Sequence, residues 1–120
     1  MITVEQLVDS LKHIKNKEGF IYYDNGVFDY FIGSIIVLNG YVIFLKSMFK
    51  SESLNIRELV SKLLSQCEPH YKILIIGSKC YMVNSINDIV ANKLGVRIKC
   101  TEYKSTNDNL WLSQLSFYYS

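Results

Sequence analysis

The sequence has few of the residues that build metal and disulfide sites. It contains three cysteines, Cys67, Cys80 and Cys100, and two histidines, His13 and His70. No Cys-x-x-Cys pair occurs and the number of cysteines is odd, so we expect neither a Cys/His zinc site nor a disulfide framework. Buried, reduced thiols are the prediction instead.

Long apolar runs and a strong charge imbalance are also missing. No apolar run approaches the roughly 20 residues that a membrane-spanning helix needs, so no membrane partner is expected. The first residues lack the basic-then-apolar pattern of a signal peptide, and we expect a cytoplasmic protein. The 13 basic and 11 acidic residues give a formal net charge of +2. That charge is too small to indicate nucleic-acid binding by itself.

Apolar and aromatic residues, by contrast, are abundant. Hydrophobic residues make up 49% of the 120 residues, with nine Tyr and six Phe. A chain of this length usually forms one domain and buries about two thirds of its unfolded surface. We predict a single domain over residues 1–120, with its core at about 3–103 and a tail or short helix at 106–120.

Two Asn-Gly pairs, at residues 25–26 and 39–40, separate runs of apolar, β-branched and aromatic residues. Asn-Gly suits a two-residue type I′ turn, because both central residues of that turn need a positive φ. The Gly33-Ser34 pair is either a further turn or a bulge within one long strand. The pattern predicts consecutive antiparallel strands at Phe20–Tyr23, Val27–Ile32, Ile35–Leu38 and Tyr41–Lys46.

Helices are predicted on both sides of this strand block. Two segments begin with the spacing of a capping box, Thr3 with Gln6 and Asn55 with Glu58. Apolar residues follow each box at helical spacing. We place the helices at Val4–Lys15 and at about Ile56–Cys67, since Pro69 cannot continue the second one.

The second half of the chain completes a mixed order of elements. A helix is predicted from Ser85 and Asp88 as caps and from Gly95 as its end. The predicted elements are strands Lys72–Ile76 and Lys79–Val83, a helix at Ile86–Leu94, a strand at Val96–Thr101 and a final short helix within Asn107–Tyr119. The order α-β-β-β-α-β-β-α-β predicts an α/β (α+β) fold, with a mixed sheet flanked by helices.

Two residues of the strand block suit metal-dependent catalysis. Asp29 lies at the start of one predicted strand, and Lys46 lies at the end of a later one. An Asp and a second acid on neighbouring strands can bind Mg²⁺, and a Lys beside them stabilises charge or positions the attacking water. This hypothesis requires both side chains on one face of the sheet, with a further carboxylate nearby.

These residues make the chain resemble the PD-(D/E)xK nuclease superfamily, and most of all its small VRR-NUC type. Residues 26–29, Gly-Val-Phe-Asp, are similar to the family's Gly-Val-Pro-Asp. Residues 42–46, Val-Ile-Phe-Leu-Lys, are similar to its strand Val-Ile-Phe-x-Glu-Leu-Lys, and residues 81–89 to its closing strand, Asp-Ser and helix. The resemblance implies a restriction-endonuclease-like α-β-β-β-α-β core and a nuclease-like, nucleic-acid-associated protein of phage or mobile-element type. It also implies catalytic roles for Asp29 and Lys46.

The sequence departs from the family pattern at three positions, where Phe28 replaces its Pro, Phe44 its central Glu and Asn84 its closing acid. An Mg²⁺ ion, which an active enzyme would need, would therefore depend on Asp29 with Glu18 or Glu5 and on backbone carbonyls. That is a poor ligand set for a hard divalent cation. The resemblance accordingly implies either a Mg²⁺-dependent nuclease or a protein that keeps the fold and has lost the chemistry.

Lysines near the strand block form a candidate patch for binding DNA or RNA, with Lys12, Lys15 and Lys50 as its main members and Lys17 and Lys46 beside them. Tyr22, Tyr23, Tyr41 and Phe49, nearby in sequence, would supply stacking surfaces. Lysines at a sheet edge also discourage aggregation without any ligand.

The alternative function is a non-enzymatic interaction protein, such as a viral or host-defence accessory factor. Its aromatic-rich sheet edge or its C-terminal tail would then bind a protein partner or a second copy of the chain.

Overall fold

The structure is a computed structural model that describes residues 1–27 and 29–119. These residues form three α-helices and eight strands, an α+β fold with a mixed sheet, as predicted. In chain order the elements are α1 Val4–Lys12, β1 Phe20–Asp24, β2 Asp29–Leu38, β3 Tyr41–Ser47, α2 Ile56–Gln66, β4 Lys72–Ile76, β5 Cys80–Met82, β6 Ile89–Ala91, β7 Gly95–Lys99, β8 Thr101–Glu102 and α3 Trp111–Tyr118.

All the strands belong to one sheet with the order β6-β7-β1-β2-β3-β4-β5-β8. The β1–β7 and β3–β4 pairs are parallel, and the other neighbours are antiparallel. Consequently β7, β1, β3 and β4 run in the same direction, and their carboxyl ends lie at one edge. The order from α1 to β4 is the predicted α-β-β-β-α-β order, while its assignment to the restriction-endonuclease-like fold stays a prediction.

Helices α1 and α2 cover one side of the sheet, which we call the first face. Both predicted capping boxes are present, at Thr3 and at Asn55, and they bind the first free backbone N–H groups of their helices. The fully buried side chains between helices and sheet include Leu7, Leu11, Leu59, Leu63, Ile21, Phe44 and Ile75. Burying each such side chain stabilises the fold by roughly 1.5–3 kcal/mol.

Helix α3 covers only part of the opposite side, the second face. Leu112 is fully buried in a cluster with Ile43, Leu74 and Ile76, so α3 lies over β3 and β4. The Trp111 ring packs against Tyr41, with 5.7 Å between ring centroids. The helix predicted in the tail therefore forms, although its helical turns begin only at Trp111.

The second Asn-Gly pair makes the predicted type I′ turn. Asn39 and Gly40 have φ values of 53° and 80°, and Leu38 pairs with Tyr41 on either side of them. Gly33 lies at a register shift inside β2, which settles the alternative left by the sequence in favour of one long, bulged strand.

The first Asn-Gly pair makes a different turn, so the type I′ prediction is wrong there. Asp24 pairs with Asp29, so the connection between β1 and β2 is longer than a two-residue turn. The Asp24 carboxylate accepts a hydrogen bond from Gly26 N at 2.7 Å, and Asn25 Oδ1 accepts one from Val27 N at 3.0 Å. These side-chain-to-backbone bonds favour a wider loop. The predicted equivalence of Phe28 to the family's Pro lies outside the described residues.

The predicted helix at Ile86–Leu94 is also wrong. Ser85 caps a single 3₁₀ turn, Ile86–Asp88, and the chain then enters strand β6, whose Ile89 pairs with Ile98 of β7. Residues such as Ile89 and Val90 suit an extended strand, and pairing with the edge of β7 outweighs the local helical pattern.

The cysteines are free thiols, as predicted, and two of the three are buried. Cys80 and Cys100 are each 7% exposed, whereas Cys67 is only half-buried. Burial raises the pKa of Cys80 to about 11 and is the main reason that the pKa of Cys100 rises to about 12. Both thiols are therefore protonated and unreactive at neutral pH.

Replacement of Gly95 by Ala should strongly destabilise the protein. Gly95 has φ +148°, and a Cβ there would overlap the backbone nitrogen and oxygen of Phe20. Backbone strain of roughly 1–2 kcal/mol and a clash of roughly 1–3 kcal/mol predict a loss of about 3 kcal/mol. Urea unfolding followed by circular dichroism measures it.

Gly40→Ala is the matched control, because Gly40 also has a positive φ, +80°, but has open space around its Cα. The Gly40→Ala variant should lose only the part of the stability that comes from backbone strain, roughly 1–2 kcal/mol. Equal losses for the two variants would contradict the close approach of β7 to Phe20.

Candidate functional site

The structure places Asp29 and Lys46 on opposite faces of the sheet. Asp29 pairs with Asp24, whereas Lys46 pairs with Ile32, which is buried beneath the helices of the first face. Successive strand residues alternate between faces, so Asp29 and Tyr30 point in opposite directions. Lys46 lies on the side of Tyr30, with Nζ 5.1 Å from the centre of its ring. The two groups are not brought together as a catalytic pair requires.

Asp29 instead belongs to an ion-pair cluster on the second face. Arg97 Nη2 lies 3.0 Å from Asp24 Oδ2 and 3.2 Å from Asp29 Oδ1. One guanidinium therefore bridges carboxylates of two adjacent strands, and it supplies the positive charge that a cation would otherwise bring to them. This arrangement disfavours Asp29 as a ligand for Mg²⁺.

Glu18, the other predicted metal ligand, lies at the opposite end of β1 from Asp29. Its carboxylate binds Arg57 Nε at 2.7 Å and Asn55 Nδ2 at 3.1 Å. The five residues of β1, Phe20–Asp24, span roughly 17 Å between these two ends. Within residues 1–27 and 29–119, no group of three His, Cys, Asp or Glu residues could hold a metal ion.

The predicted lysine patch is divided between the two faces. Lys12 ends α1 and Lys15 follows it, on the side of the first face. Lys17 binds the carbonyl oxygens of Leu11 and Lys12 at 2.8 Å each, so it caps the end of α1. Lys50 lies on the other side, over the Phe20 ring.

On the second face, the strands not covered by α3 present a surface of aromatic and charged side chains that we call the open face. None of its members belongs to either buried core cluster. Among the described residues, α1, α2 and α3 contribute no side chain to it, and Lys50 comes from a short 3₁₀ turn, Lys50–Glu52. Its members are Phe20, Tyr22 and Asp24 of β1, Asp29 and Phe31 of β2, Arg97 of β7, Leu94 and Lys50.

Three aromatic rings form the centre of the open face. The Phe31 ring contacts Phe20 and Tyr22 edge to face, with centroid separations of 5.9 and 6.5 Å. Lys50 Nζ lies 4.5 Å from the centre of the Phe20 ring. This distance is within the range of a cation–π interaction. The rings are half-buried, so their remaining surface faces solvent.

A shallow cleft of about 210 Å³ lies among these rings, lined by Phe20, Tyr22, Asp29, Tyr30, Phe31, Lys50 and Leu94. Enclosed sites for small molecules usually measure roughly 300–1,000 Å³. The cleft is therefore better suited to a flat group lying on the rings than to an enclosed ligand.

Hydrogen bonds hold Tyr22 and the adjoining turn in place. Asn92 Nδ2 donates to the hydroxyl of Tyr22, and Asn92 Oδ1 accepts from the backbone N–H groups of Leu94 at 2.9 Å and Gly95 at 3.1 Å. The turn between β6 and β7 is thereby fixed to the open face. A surface carried on strands and braced in this way is preorganised.

Further positive charge surrounds the open face. Lys99 lies opposite Asp24 in the parallel register, two residues after Arg97, and is exposed. Lys93 is exposed in the turn that Asn92 braces. Lys50, Lys93, Lys99 and Arg97 together outnumber the two carboxylates, Asp24 and Asp29.

Tyr22, Asp29 and Lys50 of the open face were candidate site residues in the sequence, whereas Phe31, Leu94 and Arg97 were not. Phe20 and Tyr22 alternate with the buried Ile21 and Tyr23, and this period of two was available from the residues alone. Leu94 was hidden, because its segment was predicted as helix.

Comparison of the chain with protein-family models, with curated proteins and with solved structures finds no match. The nuclease-superfamily resemblance therefore stays a prediction. Among the described residues, no helix has the length and apolar character that crossing a membrane requires.

Replacing Arg97 by Gln should destabilise the protein by about 1 kcal/mol in low salt. The change removes two partly exposed ion pairs, each of which is expected to contribute roughly 0.2–1 kcal/mol. It also leaves Asp24 and Asp29 as like charges directly opposite one another on paired strands. Urea unfolding in 20 mM and 500 mM NaCl measures the loss and its reduction by salt.

The double variant R97Q/D29N is the control, because it removes the repulsion as well as the bridge. It should be more stable than R97Q alone. A single variant as stable as the unmodified protein would contradict the bridging role of Arg97.

Proposed function

We propose that this protein binds single-stranded DNA or RNA through the open face, as a nuclease-like protein without metal-dependent cleavage. The observation that carries the proposal is the cluster of three solvent-facing rings with Lys50 directly over one of them. Proteins that bind single strands combine such stacking surfaces with positively charged groups that follow the phosphates.

Stacking supplies the first part of the expected binding energy. Each base that stacks on an aromatic side chain contributes roughly 1–3 kcal/mol. The cleft between Phe20, Tyr22 and Phe31 is shallow and open, which suits a flat base lying on the rings. Because every base has a flat face, we expect little sequence preference.

Phosphate contacts supply the second part. Lys50, Lys93 and Lys99 are exposed around the rings, and each could neutralise one phosphate. For single strands, the slope of log K against log salt is about −0.7 per phosphate contacted. Three contacts therefore predict a slope of about −2, and the binding should be weak at high salt.

Two features support binding without cleavage by a metal-dependent nuclease. Asp29 is bridged to Asp24 by Arg97, and Lys46 lies on the other face. The family's central acid is absent, since Phe44 stands at that position. The residues that would hold Mg²⁺ and position water are thus not assembled at one site.

Fluorescence anisotropy with labelled 12-nucleotide DNA and RNA strands tests the proposal. We expect binding that falls with salt at the slope given above. Phe31→Ala or Tyr22→Ala should weaken it about tenfold or more, through loss of stacking. Lys50→Gln should reduce the slope by about 0.7.

Phe117→Ala is the matched control, since Phe117 is an exposed ring on α3, outside the open face, and its loss should leave binding unchanged. Equal weakening by this variant, or no binding by the unmodified protein, would contradict the proposal. Incubation of the same strands with Mg²⁺ or Mn²⁺ should give no cleavage. Cleavage that Asp29→Ala abolishes and Asp9→Ala does not would support an active nuclease instead.

The exposed side of α3 favours a second candidate function, association with another copy of this chain. Phe117 is 85% exposed and Tyr118 78% exposed, and Leu110, at the other end of α3, is also exposed. Exposed aromatic residues of this kind are enriched at protein interfaces.

Sedimentation velocity from 5 to 200 µM tests this second candidate. If α3 mediates self-association, the sedimentation coefficient should rise with concentration, and the double variant F117A/Y118A should remain monomeric. The substitution Y22A/F31A on the open face is the control and should leave the association unchanged. A monomer throughout this range would exclude this candidate.

A further inference from the structure

The cleft of the open face is lined by one acidic side chain as well as by a basic one. In the described part of the chain, Asp29 and Lys50 are its charged lining residues. Lys50 is a cation of the kind that phosphate contacts require, whereas a carboxylate repels phosphate groups. An acid among stacking rings therefore weakens the binding of a polyanion, unless it makes a favourable contact of its own with the strand.

Arg97 holds the Asp29 carboxylate in place and offsets part of its charge. Its Nη2 atom lies 3.2 Å from Oδ1 of Asp29 and 3.0 Å from Oδ2 of Asp24. The Nε atom of the same guanidinium is buried, so this end of the arginine side chain is packed against the protein. The acid is thus positioned beside the rings before any ligand binds, and its repulsion of a neighbouring phosphate is reduced.

Asp29 retains a capacity to accept hydrogen bonds that Asp24 has largely lost. The Asp24 side chain is 22% exposed, and its two oxygens bind Gly26 N and Arg97 Nη2. The Asp29 side chain is 51% exposed, and the same Arg97 nitrogen lies 3.2 and 3.5 Å from its oxygens. An ionised carboxylate offers about four lone-pair sites. One nitrogen cannot occupy all of them, so Asp29 can accept a further hydrogen bond from a ligand in the cleft.

The position of Asp29 suits the sugar of a stacked nucleotide. Phe31 lies two residues further along β2 on the same face, roughly 7 Å away. When a base lies on the Phe31 ring, the attached sugar extends beyond the edge of that ring, which is a displacement of the same order. The carboxylate is therefore placed to meet a sugar hydroxyl.

The 2′-hydroxyl is a donor that every RNA nucleotide offers and that DNA lacks. Inside a strand, neither the phosphates nor the deoxyribose of DNA carry a hydrogen-bond donor. Donors on base edges differ from base to base, so contact with them would produce a sequence preference. A surface that binds mainly by stacking is sequence-tolerant, and its carboxylate is best matched by a donor on the sugar.

We infer that the open face prefers single-stranded RNA to single-stranded DNA, because Asp29 accepts a hydrogen bond from a 2′-hydroxyl while Lys50 contacts a phosphate. This inference rests on the proposed function and narrows its ligand to RNA. Bound DNA leaves the carboxylate beside a CH₂ group, with part of its hydration lost and no hydrogen bond gained. Since hydrogen bonds to charged groups are the stronger ones, we expect RNA to bind about tenfold more tightly.

Fluorescence anisotropy with three 12-nucleotide strands of uracil tests the inference, one each with ribose, deoxyribose and 2′-O-methylribose. Uracil has no exocyclic amino group, so the strands differ only at the sugar. The ribose strand should bind about tenfold more tightly than the other two, because 2′-O-methylribose keeps the oxygen but cannot donate. Equal affinities for ribose and deoxyribose would overturn the inference and leave the proposed function intact. No binding of any strand would contradict the proposed function itself.

Substitution of Asp29 assigns the preference to its carboxylate. In Asp29→Ala the ratio of RNA to DNA affinity should fall to about one, whereas Asp29→Asn, which keeps a neutral acceptor oxygen, should retain part of the preference. Both strands are measured on the same variant, so a change in its stability affects them equally. Asp9→Asn is the matched control, because it removes a negative charge from α1 on the first face, and its ratio should be that of the unmodified protein. An RNA preference that persists in Asp29→Ala would overturn the inference.

Discussion

Between Ile32 and Ser34, strand β2 contains one residue more than the facing part of β3, so that Lys46 lies opposite Ile32 while Leu45 lies opposite Ser34. In a regular ladder continued from the Asn39-Gly40 turn, Lys46 would lie opposite Gly33 and on the face of Asp29. One extra residue moves every later side chain to the other face. Glycine permits the bulge here, because a Cβ at Gly33 would lie only 2.9 Å from that of Ser47. The separation of the two predicted catalytic groups thus depends on this single residue.

The bulge also explains how the two faces acquire different chemistry. On the first face, Ile32 and Tyr23 join the core under α1 and α2. On the second face, Phe31 and Asp29 meet Tyr22 and Asp24 of β1, and Arg97 of β7 bridges the two acids. Strand β1 therefore contributes aliphatic and tyrosine side chains to the interior and aromatic and acidic ones to the open surface. Lys46, isolated from the acids, lies over the half-buried Tyr30 ring.

Sequence reasoning was most successful where local interactions decide the structure. The capping boxes at Thr3 and Asn55, the Asn39-Gly40 turn and the continuously apolar strand Lys72–Ile76 depend on residues within a few positions of each other. It failed at Ile86–Leu94, where a distant strand edge determines the conformation. It also could not place Asp29 relative to Lys46, because the spacing of the residues does not reveal whether a bulge lies between them. Arg97 is far from both acids in the chain, so its role as their bridge required the parallel pairing of β1 with β7.

The sheet ends in two very short strands. At one border β6 has three residues, and at the other β8 has two. A neighbouring chain that tried to extend the sheet would find only a few backbone groups to pair with, too few to hold a new strand in register. Growth of this protein into filaments through its borders is therefore disfavoured, and contact between broad surfaces is the better route to a stable assembly.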